Sequence, residues 1–191
     1  MRKHEKLIIG FFILILAAGI GMNQINAGTR PSWVHEVHWS NMPADGAKIE
    51  EMLWTEISPY GTEYETVNIS ASSKGSAESL RVIAISKESA YPDIYDFVYE
   101  KDTLLLTGYL LEAVPSSSRN DAIRIALENR DVAASIAAAG APSVKRILPK
   151  TSVNYYAPKT LLSVTWKGIS ALIDPDERKV VQVWRESGGA K

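Results

Sequence analysis

Three acidic side chains lie close together near the end of the chain, in the segment ALIDPDERKVVQVW (171–184). Asp174, Asp176 and Glu177 fall between two apolar runs, and their carboxylates are candidate ligands for a calcium ion. Calcium, however, takes about six to eight oxygen ligands, usually from a loop with glycine and regularly alternating ligands. An Asp-Pro-Asp sequence is typical of a type I turn. The segment is therefore predicted to be a hairpin turn set by Asp174 and Pro175.

Two histidines in the sequence HEVH, His35 and His38, are the second candidate for chemistry. A zinc site needs its ligands to converge on one point, whereas this spacing places the two rings on opposite faces of a strand. The chain has no cysteine, and its third histidine, His4, lies in the apolar leader. HEVH also differs from the H-E-x-x-H of zinc peptidases. The sequence therefore predicts no metal site.

Motifs for nucleophilic catalysis and for nucleotide binding do not occur in the sequence. It contains neither G-x-S-x-G nor G-x-G-x-x-G, and the lack of cysteine excludes a thiol nucleophile and disulfides. We therefore predict no catalytic residue and no cofactor-binding residue, and a protein that is not an enzyme. A hydrolase with an unfamiliar site, built on His35 or His38, is the enzymatic alternative. Asn68 begins an Asn-Ile-Ser glycosylation sequon, for which chance occurrence is the default interpretation.

The charge balance argues against a nucleic-acid partner. The 191 residues carry a net charge of −1, and 46% of them are hydrophobic, as in an ordinary globular protein. Residues 1–27 contain Arg2, Lys3 and Lys6 against Glu5, which leaves a net charge of −3 for the rest. Nucleic-acid binding needs a dense basic surface that displaces counterions, and no such cluster is present.

The first residues of the chain, MRKHEKLIIGFFILILAAGIGM, are typical of an export signal. A basic start precedes an unbroken apolar or glycine run of 16 residues, Leu7–Met22. This run is longer than the core of most signal peptides and shorter than the ~18 residues of a clear membrane span. We expect residues 1–27 to be a signal anchor that crosses the cell membrane through residues 7–22, with the remainder extracytoplasmic. Secretion after cleavage near Ala27 is the alternative.

Hydrophobic periodicity divides the exported part. Residues 28–43 are predicted to be a linker with one short strand, WVHEVHW. A first α+β unit, 44–114, begins with a helix capped by Asp45 and continues with two hairpins. In the third of its strands, Tyr95, Phe97 and Tyr99 share one face, which is more typical of core packing than of a ligand platform.

A second α+β unit, 115–186, is predicted to begin with a helix capped by Ser118 and to end in a β-meander, followed by a tail, 187–191. The predicted fold class is therefore α+β, with an N-terminal membrane or signal helix followed by helix-plus-antiparallel-sheet units. A single mixed sheet with both helices on one face is the alternative.

Two segments of the second unit carry a resemblance to a known family. DAIRIALEN (121–129) has an alanine-rich helical pattern, and LLSVTWKGISALIDPDERKVVQVW (161–184) has an apolar strand, an aspartate, a short turn and a valine-rich strand. In this respect residues 118–185 resemble a PepSY domain. The final turn of that family usually carries Thr-Gly, where this chain has Glu177-Arg178. An arginine takes up the left-handed conformation that glycine supplies only at some cost.

The resemblance implies an extracytoplasmic, non-catalytic module. PepSY domains are associated with peptidase propeptides and with membrane-anchored regulatory proteins. We therefore expect a membrane-tethered protein-binding or regulatory module, whose protein partner is a peptidase or a subunit of a membrane complex. We expect the contact to be made by a sheet face or a sheet edge. A structural or assembly subunit of a membrane or cell-surface complex is the alternative.

Overall fold

The structure is a computed structural model that describes residues 30–136, 140–149 and 157–185. These residues form nine strands and three helices. In chain order the elements are β1 (Val34–Ser40), α1 (Gly46–Glu56), β2 (Tyr64–Lys74), β3 (Ala77–Ile85), β4 (Asp93–Glu100), β5 (Thr103–Leu111), α2 (Ser116–Glu128), α3 (Arg130–Ser135), β6 (Ser143–Ile147), β7 (Leu161–Trp166), β8 (Ile169–Asp174) and β9 (Lys179–Arg185).

All nine strands belong to one sheet, and their order in the sheet is their order in the chain. β1 and β2 run parallel, because α1 lies between them in the chain and returns it to the end of the sheet at which β1 began. Every later pair, from β2–β3 to β8–β9, is antiparallel. The sheet is thus mixed, with β1 at one edge and β9 at the other.

Helix α1 covers one face of the first five strands. Its apolar stripe of Ile49 and Leu53, continued by Ile57 just beyond the helix, is buried in the same core as the inward side chains of those strands. Tyr95 and Phe97 of β4 stack in that core with their ring centroids 6.2 Å apart. Alternation with period two therefore gives β4 one fully buried face.

Helices α2 and α3 cover the same face of the sheet farther along. Leu111 of β5, which lies in the α1 core, is the register partner of Arg146 on β6, so their side chains point to the same side. Arg146 in turn pairs with Leu162 of β7, which lies in the core beneath α2. Both helical layers therefore lie on one face of one sheet.

Strands β5 and β6 share fewer paired residues than any other two neighbouring strands of the sheet. Leu111 and Arg146 are the one pair of residues in register there, whereas β6 and β7 share five such pairs. We call this junction the seam. Backbone pairing at the seam contributes little, so side chains that cross it must help to hold the two halves together.

The predicted fold class is wrong. Separate helix-plus-antiparallel-sheet units do not describe the molecule, because strands that both units would supply join into a single nine-stranded mixed sheet. The described residues contain no N-terminal helix, and the predicted leader, 1–27, lies outside them. Local periodicity identified the strands, but it carries no information about pairing between β5 and β6, because 31 residues of the chain lie between them.

The predicted N-cap position is confirmed for α1 and wrong for α2. Asp45 precedes α1, but its side chain makes no capping hydrogen bond. Helix α2 begins at Ser116 after Pro115, so Ser118 lies inside its first turn. Pro115 is the N-cap residue, and its carbonyl accepts the first helical hydrogen bond, from the Arg119 N–H at 2.9 Å. The side chain that does cap is Asn129, which accepts hydrogen bonds from the N–H groups of Asp131 and Val132 at the start of α3.

Candidate interaction face and buried polar cluster

The acidic turn, residues 174–177, is held by one of its own carboxylates. Asp174 Oδ1 accepts hydrogen bonds from the backbone N–H groups of Asp176 and Glu177, both at 3.1 Å. Lys159 Nζ lies 3.0 Å from Asp174 Oδ1 and 3.0 Å from Asp176 Oδ2. Burial raises the pKa of Asp174, but the Glu177 N–H and the Lys159 ammonium outweigh it and lower that pKa. The carboxylate of Asp174 is therefore occupied in shaping the turn.

Arg178 adopts the left-handed conformation, although this conformation is costly for an arginine. Its φ is +51°, in the position where the resembling family usually has glycine. The guanidinium forms two hydrogen bonds with Asp121 of α2, at 2.7 and 3.0 Å. The arginine therefore supplies a contact between the turn and the helix that glycine would lack.

The two histidines of HEVH are paired with different carboxylates. His35 Nε2 lies 2.7 Å from Glu63, and His38 Nε2 lies 3.5 Å from Glu36. All of these side chains are largely exposed. Within the described part of the chain, no group of three or more His, Asp or Glu side chains is placed to hold a metal ion.

A buried polar cluster, which was not predicted from the sequence, lies beside the seam. Arg146 Nη2 donates to Asp93 Oδ2 at 2.9 Å and to the Tyr95 hydroxyl at 2.7 Å, while Nη1 donates to the Ser58 carbonyl at 2.7 Å. The Tyr64 hydroxyl donates to Asp93 Oδ2 at 2.6 Å. Arg146 is only 4% exposed and Asp93 only 1%. An ion pair that crosses the seam is therefore sealed from water.

Each ionisable side chain of this cluster has a shifted pKa. Burial raises the pKa of Asp93, and the opposing attraction of Arg146 does not fully offset it. Burial alone would lower the pKa of Arg146, but Tyr95 and Asp93 outweigh it and keep the guanidinium charged. Burial raises the pKa of Tyr95 to about 12 and that of Tyr64 still further. At neutral pH both tyrosines are thus neutral donors.

This cluster is suited to holding the fold rather than to turning over a substrate. Asp93 Oδ1 is also occupied, because it accepts the Ala113 N–H at 2.8 Å. A catalytic acid or base must come within hydrogen-bonding distance of a substrate atom. Both charged groups are enclosed, so the cluster offers a substrate no access.

A local signal for half of the cluster is present in the sequence. Asp93 has the same strand phase as Tyr95 and Phe97, so an acid occupies an inward position of a strand. Such an acid requires a buried partner. The partner, Arg146, lies 53 residues away, so no local pattern identifies it.

The outward side of the first half of the sheet is the second feature of interest. We call the side chains of β1–β5 that point away from α1 the open face. Ile83, Ile94 and Leu110 form an apolar row across β3, β4 and β5, and Val98 and Leu105 form a shorter one. Leu105 is 62% exposed, and Ile85, next to the first row, is 40% exposed. An antiparallel sheet with one wet face normally carries polar side chains there.

Polar groups divide and border these apolar rows. Arg81 and Asp96 are register partners between the rows, joined by bonds of 2.8 and 3.1 Å. Small side chains on β2, including Ser70 and Ser72, help to leave a shallow groove of about 460 Å³ on the open face. Asn68, the sequon residue, lies in the middle of β2 in register with His38 and Ile83.

The same side of the second half is covered. Leu161 and Leu172 are 2% and 0% exposed, although they face away from α2, and Ala157 and Trp184 pack with them. Ser163 and Ser170 on this side are also buried. The open face is therefore a property of the first half alone.

The sequence contains a signal for the apolar rows of the open face, although their residues were not predicted to form a site. In RVIAI (81–85) and DIYDFV (93–98) apolar residues occupy both strand phases. A strand that is apolar on both sides indicates two faces that exclude water. The inward phase was assigned correctly to the core, as Tyr95, Phe97 and Tyr99 are all buried.

Two further findings concern the described helices and the comparisons with known proteins. Among the described residues, none of the helices combines the length and apolar composition that a membrane crossing requires, and the predicted span, 7–22, lies outside them. No family model matches the chain, and neither does any curated protein or solved structure.

Proposed function

We propose that this protein is a membrane-tethered, extracytoplasmic module without catalytic activity that acts by binding another protein through its open face. The observation that carries the proposal is the pair of apolar rows on a sheet face over which none of the described helices lies. Apolar patches left in contact with water on a folded domain mark contact surfaces more often than chance. The tether rests on the predicted leader, 1–27, and the resemblance of residues 118–185 to PepSY domains stays a prediction.

Enclosure of the polar cluster also favours a binding role over catalysis. The ionisable groups with the largest pKa shifts, Tyr64 and Tyr95, are sealed beside the seam with Asp93 and Arg146. Enzymes place such shifted groups in accessible clefts. On the open face the charged groups are instead solvent-exposed and paired, as at the rim of a protein contact.

The test is recovery of partners by the full-length tagged chain from the membranes of its own cells. We expect the double variant I85S/L105S to lose most of its specifically bound protein, with a reduction of about tenfold or more. The matched control is L127S, which removes a leucine of α2 that is 39% exposed and lies on the helical side. L127S should leave recovery unchanged, and thermal unfolding should show that both variants are folded.

Equal recovery by the wild-type chain and I85S/L105S, with both folded, would contradict the proposal that the open face makes the contact.

A further inference from the structure

The open face has opposite charges at neighbouring positions of its two central strands. Arg81 on β3 and Asp96 on β4 are register partners, and their side chains are 60% and 38% exposed. Each charge thus has a partner beside it and a free side turned to solvent. A surface that brings a carboxylate above Arg81 and a cation above Asp96 would be complementary to this pair.

The open face itself meets that requirement. Consider a second copy packed face to face, with a two-fold axis that runs parallel to the strands between β3 and β4. This axis exchanges β3 and β4, so it places Arg81 opposite Asp96 of the second copy. It also places Ile83 opposite Ile94 of the second copy, because these two residues are register partners as well. The open face is therefore complementary to itself in charge at Arg81 and Asp96 and in apolar surface at Ile83 and Ile94.

The geometry of sheet packing and of the chain agrees with this arrangement. Sheets that pack face to face keep their strand directions within about 30° of each other, as a two-fold axis parallel to the strands requires. That axis leaves Arg30, the first described residue, at the same end of both copies. Two chains tethered by residues 1–27 can then be anchored in one membrane.

We propose that the partner bound by the open face is a second copy of this chain, in a two-fold pair with Arg81 facing Asp96 across the interface. This inference rests on the proposed function, since it names the partner of the same surface. Ile83 and Ile94 of both copies form the apolar centre of the interface. Leu105 lies toward its periphery and opposes the serine-bearing strand β2.

Charge reversal tests the contact between copies. The full-length chain is prepared with two different tags, and capture of one tagged form by the other is measured. R81D places two acids on the open face and D96R places two arginines there. Each single variant should therefore associate with itself at least about tenfold more weakly than the wild-type chain.

Mixed variants separate a contact between copies from a loss of folding. R81D and D96R together should capture each other at least as well as the wild-type copies do, because two acids then face two arginines. The double variant R81D/D96R restores the pair within each copy and should associate as the wild-type chain does.

Three outcomes would overturn the inference: a monomeric wild-type chain, single variants that still self-associate, or a mixture of R81D and D96R that associates no better than either alone. If the wild-type chain is monomeric while I85S/L105S still loses another membrane protein, the second copy is wrong and the proposed function stands. If the open-face variants change no association at all, both proposals fail.

Discussion

Replacing Arg146 with methionine is expected to lower the free energy of unfolding by about 3–5 kcal/mol. The substitution leaves Asp93 buried without its cation and removes three hydrogen bonds, to Asp93, to Tyr95 and to the Ser58 carbonyl. Breaking a buried ion pair from one side costs more than the pair contributed, because the remaining charge keeps its desolvation penalty. Stabilities of whole domains are only about 5–15 kcal/mol, so this loss removes much of the margin.

The measurement is chemical denaturation of the described domain within the full chain, with R124M as the matched control. Arg124 also contacts two acids, Asp121 and Glu128, but on the exposed surface of α2. The control should therefore change stability several-fold less. Part of the R146M deficit should also disappear in acid. Burial raises the pKa of Asp93, and R146M removes the attraction of Arg146 that opposes this rise, so the pKa should be higher still in the folded variant. Protonation of Asp93 removes the unpaired buried charge, so the deficit should be smallest below the ordinary pKa of the carboxyl group and should grow as the pH rises.

Equal destabilisation by R146M and R124M would contradict the role assigned to the buried pair. Loss of the Arg146 contacts should also change how cooperatively the molecule unfolds. Backbone pairing at the seam is limited to Leu111 and Arg146, so R146M should unfold the two halves in separate steps more readily than the wild-type chain.

Alkaline unfolding is the second large effect that we expect. The folded protein holds the pKa of Tyr95 at about 12, against about 10 in an unfolded chain. Between these values the unfolded chain has lost its phenolic proton while the folded one keeps it. The contribution of Tyr95 to the free energy of unfolding is therefore undiminished below about pH 10. Between about pH 10 and about pH 12 it falls by ~1.4 kcal/mol per pH unit. The raised pKa of Tyr64 adds a loss of the same sign.

The variant Y95F should make the decline of stability with pH shallower in this window. The slope should fall by about 1.4 kcal/mol per pH unit, which amounts to about 3 kcal/mol across the window. Y91F serves as the control, because Tyr91 is 50% exposed and lies outside the cluster. Because Y95F also loses its bond to Arg146, slopes rather than absolute stabilities are compared. Identical slopes for the wild-type chain and Y95F would show that Tyr95 ionises as freely in the folded protein as in the unfolded one.

Much of the local structure was predictable from the sequence for a simple reason. The inward side chains of strands β2–β5 recur with period two, and short turns join β2 to β3 and β4 to β5, so these neighbours in the chain are also neighbours in the sheet. The hairpin at Asp174 was predictable for the same reason. Its carboxylate caps the backbone of its own turn, and that is a local interaction.

The arrangement of the halves was not predictable, because it depends on contacts between distant residues. Strand β1 is the short strand foreseen in the predicted linker, but its parallel pairing with β2 requires α1 to cross over between them. Across the seam, one register pair and the ion pair of Asp93 with Arg146 join the two halves. Alternation tells which side chains share a face, but not which strand lies beside which.

The candidate site was partly visible in the sequence. Residues Ile83 and Ile94 occupy the outward phase of strands whose inward phase is already apolar. That pattern indicates a second apolar face. In the structure it is the open face, on the side of the first half that points away from α1. Exposure distinguishes it from the second half, where Leu161 and Leu172 on the same side are buried.

Site-specific photo-crosslinking of the full-length chain, in the membranes of its own cells, tests most directly whether the open face contacts another protein. A photoreactive phenylalanine analogue is placed at Leu105 on the open face, or at Leu127 on the exposed side of α2. We expect a discrete protein adduct from position 105 and none from position 127. Equal labelling at the two positions, or an adduct from position 127 alone, would contradict a protein contact made through the open face.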